Sequence, residues 1–533
     1  MHRIFTVPEL VIAILTEFSQ THRLAYGPLT VCKNWADITM DLIWREVCDP
    51  SLIFDLLAPV GDLLMPVGEQ SEGDDGTYEF EFSFESLPTP SGWARFDIYR
   101  RRIHVLDNMI LCATYRHVIN DVAVLRPDAI PFLPNLTELA WSCPNGDLWR
   151  ESVFFMHEGI TKLTLKLREV ETYGTILQYF EHIASRMSRL QSFALDFSDR
   201  GVNASQARIG PALAWLLPKL RFLKTLILSP STDLYTVICS TASLPNLETI
   251  DIHIEPHMSK SSFIISSPTS PITLSSKLQS LTLAIPYPDA TTHIFCTEFA
   301  VMTKLSLQSH KPESQISTRK LTMAISLRCK SLRDISLLSN ALHLTGDKLD
   351  LSPDERITLA DIQPLFGCRN VIRFSIDHPC PLQLTNSDIR HILQNWEMLS
   401  ELSLNPSPIY LSPSDVSHTY SDWETLAFVV EHGRNLEGLG LYLNGYAKVP
   451  PHTGMPPLPK LKKLSVGTSK LPSKMRDVLG PVMFLSRFLT LQCWFHYSYE
   501  CPDRAGWDIL GDLPDSFIQV RMEERELART RVC

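Results

Sequence analysis

One short apolar pattern recurs through this chain and leaves few folds open to it. An apolar residue, two variable ones, an apolar, a variable and an apolar occur in NLTELAW at 135, GITKLTL at 159, RLQSFAL at 189 and FLKTLIL at 222. The hexad returns in NLETIDI at 246, KLQSLTL at 277, VMTKLSL at 301 and SLRDISL at 331. It closes with NVIRFSI at 370, MLSELSL at 398, NLEGLGL at 435 and KLKKLSV at 460. The first apolar positions run from 136 to 461 in steps of 24 to 39 residues, with a mean near 29.5. Twelve copies spread over more than 300 residues exclude chance and describe a stack of repeats.

In each hexad the last two apolar positions alternate, as a short strand buried on one face requires. The residues between them, among them Thr164, Thr282, Ser306, Ser336 and Ser403, therefore point to the open face of a sheet. Helical patterns separate the hexads. Ile176, Phe180, Ile183 and Met187 fall on one helical face, as do Trp423, Leu426 and Val430. Gly433 and Gly367 each precede a hexad and fit a left-handed helix end. Helix, glycine and strand make one coil of a leucine-rich-repeat solenoid, whose period of roughly 20–29 residues is here at its long, irregular end. That repeat usually carries Asn or Cys three residues after its third apolar position, where the side chain serves turn backbone; only Asn340 and Asn444 stand there in this chain. Prolines (Pro144, Pro230, Pro286, Pro379, Pro406) end strands instead. The expected fold class is α/β, an irregular horseshoe with variable helices and long loops.

Composition narrows the setting. The 533 residues are 44% apolar and 20% charged, a folded, core-rich composition too long for one compact core. No window reaches the ~18 uninterrupted apolar residues of a membrane span, and Pro8 and Glu9 interrupt any signal-like run. Twelve cysteines, none closer than eight residues to another, supply no Cys-x-x-Cys and read as buried small hydrophobes in a reducing compartment. A net charge of −10 argues against nucleic acid as a partner. Arg100, Arg101 and Arg102 form the one basic run, read as a solvated edge. The expected location is cytoplasmic or nuclear, with no membrane partner.

The N-terminal segment is distinct. Residues 7–18, VPELVIAILTEF, and 24–44, LAYGPLTVCKNWADITMDLIW, hold two tryptophans and many aliphatics, which either complete a core or wait for a partner. The order of these residues resembles the F-box, a three-helix module. Val7 and Pro8 stand for its Leu-Pro, and Glu9, Leu10, Ile14 and Leu15 for its first-helix Glu-Leu and Ile-Phe. Val31, Cys32, Lys33 and Trp35 match its Val-Cys-Lys/Arg-x-Trp, and Asp41, Leu42 and Trp44 its closing Leu-Trp. One residue is missing between Pro8 and Glu9. WARFDIYRRRIHVL at 93 looks like the segment that joins such modules to leucine-rich repeats in proteins abundant in fungi.

The resemblance implies four regions: an F-box at 1–48, a linker with an acidic loop and the array's N-terminal cap at 49–130, leucine-rich repeats at 131–470, and a C-terminal cap and tail at 471–533. It also implies a function. F-box modules bury apolar side chains against the Skp-type adaptor of a cullin–RING ubiquitin ligase, while the attached repeats hold a protein substrate. Val7, Pro8, Leu10, Ile14, Leu15, Val31, Cys32, Lys33, Trp35 and Trp44 would then meet the adaptor. Trp35 and Trp44 have an alternative use, sealing the module onto the first repeat. On the concave face Thr164, Asp196, His253, Thr282, Ser306 and Ser403 are the candidate substrate contacts.

Catalytic motifs are absent from the sequence: no phosphate-binding G-x-x-x-x-G-K-[ST], no H-E-x-x-H and no G-x-S-x-G. A non-catalytic protein without cofactor or metal is expected. Asp251, His253, Glu255 and His257 alternate and share one strand face, a pattern able to gather a metal; the buried Ile250 and Ile252 make a polar patch on the open face the better reading. The stretch 69–85 is read as a solvated acidic loop followed by an edge strand with Phe80, Phe82 and Phe84 on one side. Trp494, Phe495 and Trp507 are expected to cap the last repeat. The alternative to a ligase subunit is a repeat scaffold that degrades nothing.

Overall fold

The computed structural model describes residues 7–21, 27–49, 51–58, 65–72, 78–109, 115–125, 131–143, 148–167, 173–196, 203–229, 234–252, 274–295, 298–339, 356–409, 421–450, 458, 460–472, 474–498, 506–508, 517–519 and 521. The chain divides into two compact units, Met1–Leu247 and Glu248–Cys533. Among the described residues no helix is long and apolar enough to cross a membrane.

Each of the twelve hexads forms a strand, and every first, fourth and sixth position is buried, none more than 4% exposed. In the first unit the strands Glu46–Val47, Val105–Met109, Glu138–Cys143, Lys162–Leu167, Ser192–Asp196 and Thr225–Leu228 pair in that order, all parallel. In the second unit nine strands do the same: Thr249–Ile252, Ser280–Ala284, Lys304–Ser309, Asp334–Ser339, Arg373–Asp377, Glu401–Leu404, Gly438–Leu441, Lys463–Gly467 and Trp494–Tyr497. Register keeps like positions in line, so Ile250, Leu281, Leu305, Ile335, Phe374, Leu402, Leu439 and Leu464 run as one buried row. Helices between strands cover that apolar side, as in Tyr173–Arg186, whose Ile176, Phe180 and Ile183 are buried. This is the leucine-rich-repeat arrangement, in which each coil buries its apolar face only by stacking on the next.

Three strands extend the ladders beyond the hexads, the first being Glu46–Val47 after the helix Lys33–Arg45. Val105–Met109 lies in the segment read as linker, with Ile103 and Leu106 buried as first and fourth positions; Asn108 at the sixth place hides the pattern. Trp494–Tyr497 lies in the segment read as cap and pairs with Lys463–Gly467, with Gln492 where the first apolar residue would stand.

Several sequence expectations are corrected. Residues 69–72 are not loop: Met65–Glu72 pairs antiparallel with Tyr78–Ser83 as a separate two-stranded sheet, so the aromatic stretch is no edge of the array. Phe82 stacks on Tyr115 at 5.2 Å, and Tyr115 on the buried Phe54 at 5.5 Å. The arginine run is not a solvated edge. Arg100 is 5% exposed, pairs with Asp97 at 2.6 Å and donates to the Pro131 and Phe132 carbonyls. Arg102 donates to the Asp37 carbonyl at 3.0 Å and pairs with Asp41, tying the N-terminal module to the first coil. Gly433 has φ −93°, so it is no left-handed cap; a Cβ there would meet Val429 O at 2.8 Å, and close approach is what it supplies. Gly367 has neither a positive φ nor any atom within 3.4 Å of a would-be Cβ. Trp507 is fully buried and donates to the Ser469 carbonyl at 2.6 Å, whereas Trp494 is 60% exposed and caps nothing. The cysteines are not uniformly buried: Cys32, Cys239, Cys380 and Cys493 are half-buried and Cys48 is exposed. Cys329 and Cys368 are buried as expected, and burial pushes their thiols up to about 12 and about 11.

Candidate functional site

The N-terminal module consists of the helix Pro8–Thr21, a 3-10 turn Gly27–Thr30 and the helix Lys33–Arg45. Its own core is small: Val11, Leu15 and Ile38, with Trp35 and Leu42 packed against them. Leu15, 2% exposed, therefore leaves the set of adaptor contacts, because it lies four residues after Val11 on the helix's inward stripe. Trp44 is half-buried against Tyr99 at 4.8 Å, so both tryptophans serve the module and its junction. The other apolar positions face out. Val7, Leu10, Ile14 and Val31 are 40–48% exposed, with Ile12 and Ile43 beside them in the same class. Pro8 and Lys33 are exposed and Cys32 is half-buried. These six large apolar side chains thus stand in water on a module of two helices and a turn.

In the second unit the helix-free face of the sheet forms a groove of about 980 Å³. Its floor is a row of small residues in register, Thr282, Ser306, Ser336, Ser375, Ser403, Gly440 and Ser465. Gly440 is constrained, since a Cβ there would meet Ser403 Oγ at 2.8 Å. A second row two residues upstream alternates in charge: Lys304, Asp334, Arg373 and Glu401, then Gly438 and Lys463. Arg373 bonds Asp334 at 2.5 Å, and that bond holds its guanidinium above its ordinary range. Lys463 lies 5.4 Å from the Trp494 ring. The loop after Leu404 rims the groove: Asn405 adopts φ 50°, is 1% exposed and donates to the Cys380 carbonyl at 2.8 Å. It performs the asparagine's turn role one residue after the third apolar position rather than three, which is why spacing missed it.

Three of the candidate contacts, Thr282, Ser306 and Ser403, share this groove. Thr164 lines a different one, of about 510 Å³ in the first unit, with Lys162, Lys166 and Glu138. Asp196 lines neither and accepts from Ser229 Oγ at 2.6 Å. His253, Glu255 and His257 lie outside the described residues, as do Asn340 and most of the C-terminal tail. Among the described residues, Glu46, Cys48 and Asp107 bring ligand atoms within 4.8 Å of one another, but all are exposed and burial, Glu46 and Asp107 push the thiol up; three such groups make no site by themselves.

Asp377, at the end of Arg373–Asp377, is the groove residue that sequence reasoning missed. It is half-buried, and desolvation pushes its carboxyl up to about 6. A carboxyl raised in the folded state weakens the fold as pH climbs from about 4 through about 6, because ionisation then occurs in a poorly solvated place. Asp377→Asn is expected to raise stability by about 1–3 kcal/mol at pH 7–8 and to change nothing below about pH 4. Thermal unfolding of the two proteins across that range checks it.

No family model and no curated protein matches the sequence. Among solved structures, an internalin (inlF) from Listeria monocytogenes is 13% identical, covering 73% of this chain and 92% of its own at a TM-score of 0.34. The Rad7 and Elc1 complex in yeast matches at 13% identity, covering 76% of this chain and 92% of that one, also at 0.34. At these values the fold rests on the strand ladders themselves.

Proposed function

We propose that this protein is a substrate-recognition subunit of a cullin–RING ubiquitin ligase, without catalysis of its own: its N-terminal module docks a Skp-type adaptor, and its repeats hold a protein substrate. The observation that carries the reading is the division of apolar residues in the module. Val11, Leu15 and Ile38 close its core, while Val7, Leu10, Ile14 and Val31 stay in water at positions the F-box resemblance assigns to the adaptor. A row of aliphatics on a helix surface gains about 1.5–3 kcal/mol per side chain when fully covered, so a partner is the economical account of it.

Co-purification with a Skp-type adaptor tests this. The wild-type chain is expected to form a stable complex, and Pro8→Ala/Leu10→Asp to weaken it by about 100-fold or more, since a carboxylate would be buried without a partner. Both altered residues are exposed, so circular dichroism and the melting temperature should be unchanged. No complex from folded wild-type protein would remove the ligase reading and leave the repeat scaffold. A complex without ubiquitination of any bound protein would do the same for the degradative role.

A further inference from the structure

The second unit's groove contains one ionisable group that is half-buried and unpaired among the described residues; Lys304, also unpaired there, is exposed. Asp334 and Arg373 are paired, Glu401 sits in the field of Arg373, and Lys463 has an aromatic face. Asp377 is half-buried on the groove lining and has no hydrogen-bond or ion-pair partner among the described residues. Its strand neighbour in register, Leu338, offers none. Behind the lining and close enough to feel its charge lies Tyr287, 1% exposed, whose hydroxyl has no hydrogen-bond partner among the described residues. Glu313 acts on the same phenol, but its carboxylate already accepts from Tyr287 N, Ser309 Oγ and Ser317 Oγ. Asp377, half-buried on the groove lining and without a partner among the described residues, is a place for an external donor.

The shape of the groove says what carries that donor. From Thr282 to Ser465 the small-residue row crosses seven strands in register. At ~4.8 Å per strand this is about 29 Å, the length of roughly nine extended residues. Four carboxylates (Asp251, Asp334, Asp377, Glu401) line the groove against three cations (Lys304, Arg373, Lys463), a net of one negative charge that favours a basic segment over an acidic one.

We propose that this groove binds an extended protein segment and seats one of its lysine or arginine side chains against Asp377. The proposal rests on the reading of the repeats as the substrate-holding part and names the chemistry of what they hold. An ammonium or guanidinium brings both the positive charge Asp377 lacks and spare N–H donors.

The test uses the full chain and a displayed library of random linear 12-residue peptides. Selection on wild-type protein is expected to enrich Lys or Arg at one position. The affinity of a selected peptide, read by fluorescence anisotropy, should fall about tenfold or more with Asp377→Asn, and equally when its basic residue becomes Gln. Combining the two changes should cost no more than either alone, the mark of a direct pair. Asp377→Asn protein should melt no lower than wild type, which removes misfolding as the cause. Acidic or charge-indifferent peptides, no enrichment at all, or additive losses would overturn the proposal. Adaptor capture by the wild-type chain is scored separately, so an empty selection overturns this proposal alone, and failed capture with basic peptides selected overturns the ligase reading alone.

Discussion

Trp396→Ala is expected to destabilise the second unit by about 3–5 kcal/mol, a large part of the margin by which a domain of this size stays folded. Trp396 follows the helix Asn386–Asn395, is 1% exposed, and its ring lies against Phe374 at 4.9 Å and Phe366 at 5.3 Å. Its indole N–H also donates to the Cys368 carbonyl at 3.0 Å, joining one coil to the one before. Alanine therefore leaves both a cavity and a buried carbonyl short of a donor. Trp396→Phe separates the two effects: it keeps most of the ring packing and loses the donor, so its cost should be about 1–3 kcal/mol. Calorimetric unfolding of the three proteins measures both. Equal stability of the alanine variant would mean that coils on either side do not depend on this contact.

Gly467→Ala is the second large effect, for a backbone reason. Gly467 has φ +51°, and a Cβ there would come within 2.0 Å of Pro406 O, a backbone atom that no rotamer change can move. The left-handed conformation costs an L-residue about 1–2 kcal/mol and forced repacking about 1–3 more, so a loss of roughly 2–5 kcal/mol is expected. The damage should centre on the groove rim, where Thr468 N donates to Pro406 O at 3.1 Å and Thr468 Oγ1 to Pro408 O at 3.1 Å. Hydrogen exchange at 405–409 and 466–469 reads this locally. Gly367→Ala is the control. No atom lies within 3.4 Å of its would-be Cβ and its φ is not positive, so alanine there should be neutral or stabilising by up to about 1 kcal/mol. A Gly467→Ala protein as stable as Gly367→Ala would show that the rim loop is not held where the structure has it.

The contrast between these glycines also marks how far pattern reading reaches. Gly433 and Gly367 stand where the pattern expects a left-handed helix end, yet among the described residues only Gly467 and Asn405 adopt that turn. Where a chain turns left-handed depends on which neighbouring coil crosses it, and that neighbour is distant in sequence, Cys380 lying 25 residues from Asn405 and Pro406 lying 61 from Gly467. Spacing carries no such information.

The hexads by themselves determined the strands, their buried positions and the small-residue row of the groove, because a period of two with three fixed apolar places admits one buried face and one open face. The residue order of the N-terminal segment, through its resemblance to the F-box, also marked the exposed aliphatics of the first helix as candidates. Which of those aliphatics turned inward was decided by packing: Leu15 joined Val11 and Ile38, and Trp44 found Tyr99. Tertiary structure alone also converted the arginine run into a clamp, through Asp37, Asp41 and the Pro131 and Phe132 carbonyls. The same holds for Asp377, whose place on the groove and want of a partner depend on the strands beside it and on a tyrosine ninety residues earlier. Periodicity is a local property that one strand can enforce, whereas the charge and solvation of a side chain are set by whatever the fold brings against it.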